Sequence, residues 1–492
     1  MQIQVRDQTR DAFSQGKPLW SRAIAQPAVE FGPTPLRVLE GQIPSALRGS
    51  LYRNGPGRLE RSGRRVDHWF DADGGILAVH FSEQGAMGLY RYVQTQEFQA
   101  EEQANQYLYS GYGQLAPGPF WKRWGRQPKN AANTSVLALP DRLLALWEGA
   151  NPYGLDLETL ETRGIETLGA LKPSQTYSAH PKRDPLTGDL YNFGVIYGPQ
   201  SYIQLYRSNA SGHIQQQGKI SLKRVSLVHD FVMAGPYLIF LIPPVVLPLM
   251  PILLGTQSFS DALQWRPQLG TQIIVVNRTT LQEVSRIETD PWFQWHLGNG
   301  YQENDGSVVI DYVRYPTFDT NQWLKEAATG CPTTPATGLL WRLRMDPTAG
   351  RVIANEQLLD LECEFPIADP QRLGKHHRAL FLSSQSQPNA KVNENFDSIA
   401  RLEPDSGQLT LATFAQGCYP VEPLYVPNPD DPSQGWILTV VFDGNQDQST
   451  VQIFNAEHLD AGPVCILALP EVIPPGFHGT WRSQQPRHRS SP

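Results

Sequence analysis

The chain offers chemistry mainly through histidine, of which it has eleven among 492 residues. Any one of them is by default a surface residue or a satisfied core residue, because histidine is intermediate in burial. Four share a kind of context: Ser178-Ala179-His180-Pro181, Val228-His229-Asp230-Phe231, Trp295-His296-Leu297-Gly298-Asn299 and Gly476-Phe477-His478-Gly479. Each of these histidines stands beside small, apolar or turn-forming residues, as where a strand meets its loop. Periodicity alone does not single the four out. The usual catalytic signatures are missing: there is no G-x-S-x-G, no H-E-x-x-H, no Walker loop and no G-x-G-x-x-G after a strand.

Side chains this far apart in sequence can meet only in a fold that returns distant segments to one point. Strand-like runs recur from about residue 140: Leu143–Trp147, Leu190–Tyr197, Tyr237–Ile242, Thr271–Val276, Ser307–Val313, Leu339–Met345, Ala379–Ser383, Trp436–Phe442 and Val451–Phe454. They are short and rich in β-branched and aromatic residues. One turn repeats in the form acid-Pro-x-x-Gly, at Asp184–Gly188, Asp346–Gly350 and Glu403–Gly407. Proline presets φ for the first turn position, and glycine accepts a positive φ as the next strand begins. Proline supplies 41 residues, above the usual ~5%, which suits many short strands and disfavours long helices. An all-β meander of hairpins closed into a ring is a β-propeller, and its innermost strands converge on the axis. Histidines from different blades can meet there. A pair of β-sandwiches is the alternative, but no linker long enough to separate two domains occurs. The expectation is one propeller domain over residues 1–492, with 1–30 packed outside the blades and 482–492 a flexible tail.

The net charge is −7, and no basic block occurs before the last dozen residues, which argues against nucleic acid as a partner. Cys331, Cys363, Cys418 and Cys465 stand far apart without a C-x-x-C and read as reduced thiols of a cytosolic protein. The N-terminus is polar, with no signal-peptide apolar core. Ile239–Leu254, IFLIPPVVLPLMPILL, carries no charge over sixteen residues. It is short for a span, and Pro243, Pro244, Pro248 and Pro251 interrupt any helix. It reads either as a buried strand or as an apolar loop or short helix that dips into a bilayer or lines a tunnel mouth. On the second reading Val246, Leu247 and Leu249 touch lipid, and the protein is cytoplasmic with peripheral membrane contact.

The four histidine fragments resemble those of the carotenoid cleavage oxygenase family. The likeness spans nearly the whole chain: Gly41-Gln42-Ile43-Pro44, Leu51-Tyr52-Arg53-Asn54-Gly55-Pro56-Gly57, His68-Trp69-Phe70-Asp71-Ala72-Asp73-Gly74, Asn130-Ala131-Ala132-Asn133-Thr134, Leu144-Ala145-Leu146-Trp147-Glu148-Gly149 and Phe477-His478-Gly479-Thr480-Trp481. The resemblance implies a seven-bladed β-propeller under a dome of loops and short helices. It also implies that His180, His229, His296 and His478 bind Fe(II), with Glu148, Glu364 and Glu422 supporting the imidazoles from outside. Thr134 falls on a residue that crowds the open position at iron. Two departures occur. The family often has His-His at the third ligand where this chain has His296-Leu297, and Ala72 replaces the usual glycine between two aspartates.

The implied chemistry is coherent. Four imidazoles without a thiolate suit iron better than structural zinc, and six-coordinate Fe(II) with four protein ligands keeps two positions for O2 or water. A carboxylate that accepts the outer N–H of a ligand imidazole fixes its tautomer and raises its basicity. The expected reaction is cleavage by O2 of a conjugated C=C bond in an apolar apocarotenoid or carotenoid, giving retinal-like aldehydes. Stilbene-cleaving relatives are the nearest rival. By the family's pattern they carry lysine directly before the first glutamate, where this chain has Trp147, a residue expected to line the substrate tunnel. A propeller that only binds carotenoid and a metal-dependent hydrolase remain as other readings.

Overall fold

The acid-Pro-x-x-Gly turns form as their chemistry dictates. Gly188, Gly350 and Gly407 adopt φ of 75°, 66° and 71°, and their N–H groups donate to the carbonyls of Asp184, Asp346 and Glu403 at 2.8, 3.1 and 2.9 Å. Each turn joins two strands of one sheet. In this computed structural model, which describes residues 2–198, 200–388 and 392–484, seven antiparallel sheets of four or more strands make the blades of a propeller. Blades two to six occupy 135–165, 182–221, 232–289, 297–357 and 363–413 in unbroken chain order.

Two strand exchanges close the ring. The last strand, Gly479–Ser483, pairs with Gly49–Arg58 and becomes the innermost strand of blade one. The early strand Arg37–Gly41 pairs with Pro463–Ala468 and becomes the outermost strand of blade seven. The seam is sealed by apolar packing of Leu51, Leu77 and Tyr90 against Leu438, Val451, Ile453 and Leu467, all buried. At ~1.5–3 kcal/mol for each buried aliphatic or aromatic side chain, this cluster makes closure strongly favourable. The expected flexible tail therefore starts too early, because Arg482 and Ser483 pair with Ser50 and Gly49. Residues 485–492 lie outside the described residues. At the other end, the 3-10 turn Leu19–Ile24 buries Trp20 and stacks it on Trp69 at 6.1 Å.

All nine strand-like runs are strands, with ends shifted by at most three residues. The innermost strands, such as Lys182–Arg183, Val232–Ala234 and Cys418–Pro420, are too short to show alternation and escape a sequence reading. The apolar run divides. Ile239–Ile242 completes the buried strand Tyr237–Ile242, whereas Leu249–Leu253 is a short helix with Met250, Leu253 and Leu254 exposed. Leu247 is only 2% exposed, so it packs in the core and cannot touch lipid as expected. Val246 and Leu249 are half-buried. Among the described residues, no helix is long and apolar enough to cross a membrane. The four cysteines are free.

Candidate metal centre

The four histidines stand at equivalent places in four blades. His180, His229, His296 and His478 come one to three residues before the innermost strands Lys182–Arg183, Val232–Ala234, Leu297–Gln302 and Gly479–Ser483. Innermost strands start at one face of the ring, so these side chains reach the axis together. Thr134 precedes the innermost strand of blade two, Glu364 lies within that of blade six, and Glu422 follows that of blade seven. Every blade contributes at least one residue, and blade two adds Glu148 to Thr134. One ligand atom from each histidine lies within 4.8 Å of the others, and no other such group of His, Cys, Asp or Glu occurs among the described residues.

The orientations are fixed from behind. Nδ1 of His229, His296 and His478 donates to Glu148, Glu364 and Glu422 at 2.7, 2.6 and 2.8 Å. A carboxylate only accepts, so these rings carry the proton on Nδ1 and turn the Nε2 lone pair inward. Two of the glutamates are held in turn. Tyr315 Oη donates to Glu364 at 3.0 Å. The buried Arg53 and the Gly479 N–H donate to Glu422, both at 2.9 Å. His180 differs: its backbone N–H donates to Ser178 Oγ at 3.0 Å, and it has no carboxylate partner among the described residues.

The donor set fits a metal ion. Nε2 of His180 and Nε2 of His229 face each other at 3.0 Å, and the buried Nε2 of His296 has no hydrogen-bond partner. Converging lone pairs of this kind need a cation between them. Two ligands at ~2.1 Å in adjacent octahedral positions stand about 3.0 Å apart. Burial and the neighbouring His229, His478 and His296 hold His180 well below the usual histidine range, which keeps its lone pair available. Burial also lowers His478 despite Glu422. At His296 burial pulls down, but the Glu364 charge and hydrogen bond outweigh it, so the net shift is upward.

Two cavities meet at the histidines and share Phe70, Thr134 and His229 as walls. One, of about 160 Å³, runs past His296 and His478 between Trp69, Trp295 and Trp323. The other, of about 180 Å³, runs past Trp147 and Glu148 toward Tyr197 and Phe259. Trp147 thus lines a cavity, and Gly149 leaves room for its ring, since a Cβ there would lie 2.4 Å from it. No lysine or arginine lines either cavity among the described residues.

The sequence missed several walls. Phe365 stacks on His296 at 5.2 Å and holds φ at 57°, a conformation rare for a bulky residue and typical of strained functional positions. Only its place beside Glu364 hinted at it. Phe70 and Phe477 pack edge-on at 5.4 Å, and both lie in fragments already noted for other residues. The exposed Phe120, Trp121 and Trp124 were also missed. They join the Leu249–Leu253 helix through Trp124 Nε1, which donates to Leu254 O at 2.9 Å.

Known proteins share this architecture. Apocarotenoid-15,15'-oxygenase of Synechocystis is 32% identical over 458 residues, covering 90% of this chain and 92% of that protein. Resveratrol cleavage oxygenase 1 of Aspergillus fumigatus is 26% identical over 473 residues, covering 90% and 91%. A crystal structure of the cobalt-substituted Synechocystis apocarotenoid oxygenase superposes with a TM-score of 0.85 at 30% identity, covering 95% of this chain and 98% of that one. The family model described as RPE65, retinal pigment epithelial membrane protein, matches residues 24–483. With seven blades, a four-histidine centre and likeness over nearly its full length, this chain belongs to the RPE65 and carotenoid oxygenase family.

Proposed function

We propose that this protein is a non-haem Fe(II) oxygenase that uses O2 to cleave a conjugated C=C bond of an apocarotenoid or carotenoid into aldehydes of the retinal kind. One observation carries the reading: four inward imidazoles, three backed by carboxylates, stand where two largely apolar cavities join. His180, His229, His296 and His478 hold the iron, and Glu148, Glu364 and Glu422 fix the rings that hold it. Bound iron supplies the activation of O2. The chain's own work is placement. Phe70 and Thr134, common to both cavities, hold an extended polyene across the histidines and limit the room left for small molecules beside it. No general base or nucleophile of the protein takes part.

A stilbene-cleaving reading has support from the Aspergillus relative's name. It is disfavoured because a phenolate needs a cation, and Trp147 and its neighbours among the described residues offer none.

Carotenoid substrates dissolve in lipid, so the enzyme collects them from a bilayer. Trp121 (59% exposed), Trp124, Met250, Leu253 (65%) and Leu254 form an apolar surface beside Phe259, a wall of the Trp147 cavity. The exposed Lys122 and Arg126 adjoin Trp121 and Trp124 in the chain, where cations favour anionic headgroups. Inserting a few such side chains at ~1.5–3 kcal/mol each gives reversible peripheral binding.

The test is an assay of the iron-loaded protein against a carotenoid and apocarotenal panel, with and without O2. Aldehyde products in air alone support the proposal. Products without O2 point to hydrolysis, and binding without products in air points to a carotenoid carrier.

A further inference from the structure

The two cavities differ in what their polar groups leave free. Past Trp147 those groups are mostly engaged. Thr176 Oγ1 donates to Val195 O at 3.2 Å, Tyr112 Oη donates to Asn321 at 2.9 Å, and Ser178 Oγ accepts the His180 N–H at 3.0 Å. What remains for a ligand there is chiefly the apolar surface of Trp147, Phe193, Val195 and Phe259, with Glu148 Oε1 beside the metal centre and Tyr197 Oη as the polar atoms without a hydrogen-bond partner among the described residues.

The cavity beside His296 ends differently. Glu362 stands two residues before Glu364, and Gln385 N donates to Glu362 O at 2.9 Å, continuing the ladder of that strand. Two residues of extended chain span ~6–7 Å on one face, so Glu362 lies farther out along the wall from which Glu364 faces His296. Gln385 Nε2 donates to Asn395 O at 3.2 Å, which gathers Glu362, Gln385, Glu394 and Asn395 into one patch of the cavity wall. Thr337 satisfies Glu362 Oε1 and Tyr419 satisfies Glu394 Oε2. Among the described residues, Glu362 Oε2, Glu394 Oε1 and Gln385 Oε1 have no partner, although Gln385 is only 5% exposed. A hydrocarbon placed here leaves these acceptors dry and unpaired, and an aldehyde oxygen, itself only an acceptor, cannot pair with them. A hydroxyl supplies the missing donor.

Taking the oxygenase reading as its basis, we propose that this patch selects a hydroxyl-bearing ring end of the apocarotenoid and seats it in the His296 cavity. The unhydroxylated remainder then lies past Trp147.

The test compares two apocarotenals of equal polyene length, with and without one ring hydroxyl, on the Fe(II)-loaded protein. Binding is read without O2 by quenching of tryptophan fluorescence, since Trp69, Trp295 and Trp323 line this cavity. Turnover is read in air. The hydroxyl should tighten binding roughly tenfold, the worth of one net hydrogen bond. Gln385→Met, and separately the shape-keeping Glu394→Gln, should bring the two affinities together. Equal affinities in the parent, or a preference untouched in both variants, overturns the proposal. A preference that the variants abolish, with no cleavage in air, supports the subsite and contradicts the oxygenase reading instead.

Discussion

Glu364 Oε2 lies 2.6 Å from Nδ1 of His296, and its second oxygen accepts Tyr315 Oη at 3.0 Å. The carboxylate is clamped on both oxygens, so it holds the imidazole in one tautomer and one orientation. His478 has the same support from Glu422, clamped by Arg53 and the Gly479 N–H, whereas Glu148 meets His229 through one oxygen alone among the described residues.

Glu364→Gln keeps the size of the side chain and removes the charge. Iron affinity should fall ~10–100-fold, with activity partly restored by excess Fe(II). An iron titration of parent and variant reads this directly, and an unchanged affinity would make Glu364 a structural acid.

Among the described residues, neither cavity presents a cation. Hydroxystilbenes should therefore be left intact while apocarotenals are cleaved, as product chromatography on both substrate sets would show. Efficient stilbene cleavage with no turnover of apocarotenals reverses the ranking of substrates.

The apolar surface makes a separable prediction. Changing Trp121, Trp124 and Leu253 together to Ser should lower co-sedimentation with liposomes and slow turnover of membrane-held substrate, while iron content stays at the parent level. Leu247→Ser should instead lower stability by ~2–5 kcal/mol, because that side chain is core. If the triple variant binds liposomes as the parent does, the membrane contact lies elsewhere.

Burial pushes the Asp71 carboxyl up to about 7, against hydrogen bonds from the Gly113 and Tyr112 N–H groups. A raised value means that the fold prefers the protonated acid. The stability it contributes is complete below its ordinary value of 3.8 and is lost as pH rises through about 7. Asp71→Asn stays neutral, so the variant should exceed the parent at pH 8 by up to ~4 kcal/mol and match it near pH 4. Denaturant melts at the two values measure it. A variant no more stable at pH 8 means that Asp71 ionises freely in the fold.

Much of this was legible in the sequence, for identifiable reasons. The outer strands carry long β-branched runs, and the acid-Pro-x-x-Gly turns announce themselves through proline and glycine. The histidines were legible only through the whole-chain resemblance, because innermost strands such as Lys182–Arg183 have no pattern of their own. Two kinds of information were hidden. Which glutamate serves which histidine depends on blade-to-blade contacts that no local window contains. The Ile239–Leu254 run mixes a core strand with a surface helix, and hydropathy cannot separate them. Its partner Trp124 lies more than a hundred residues away in the chain.

Iron held by His180, His229, His296 and His478 is the proposed seat of cleavage. Metal-free protein titrated with Fe(II) in air, with bound iron and apocarotenal cleavage followed together, tests this most directly. Both should rise in step and saturate at one iron per chain, and neither should rise in His296→Ala. Cleavage before iron is added, or full iron binding and activity in His296→Ala, would contradict it.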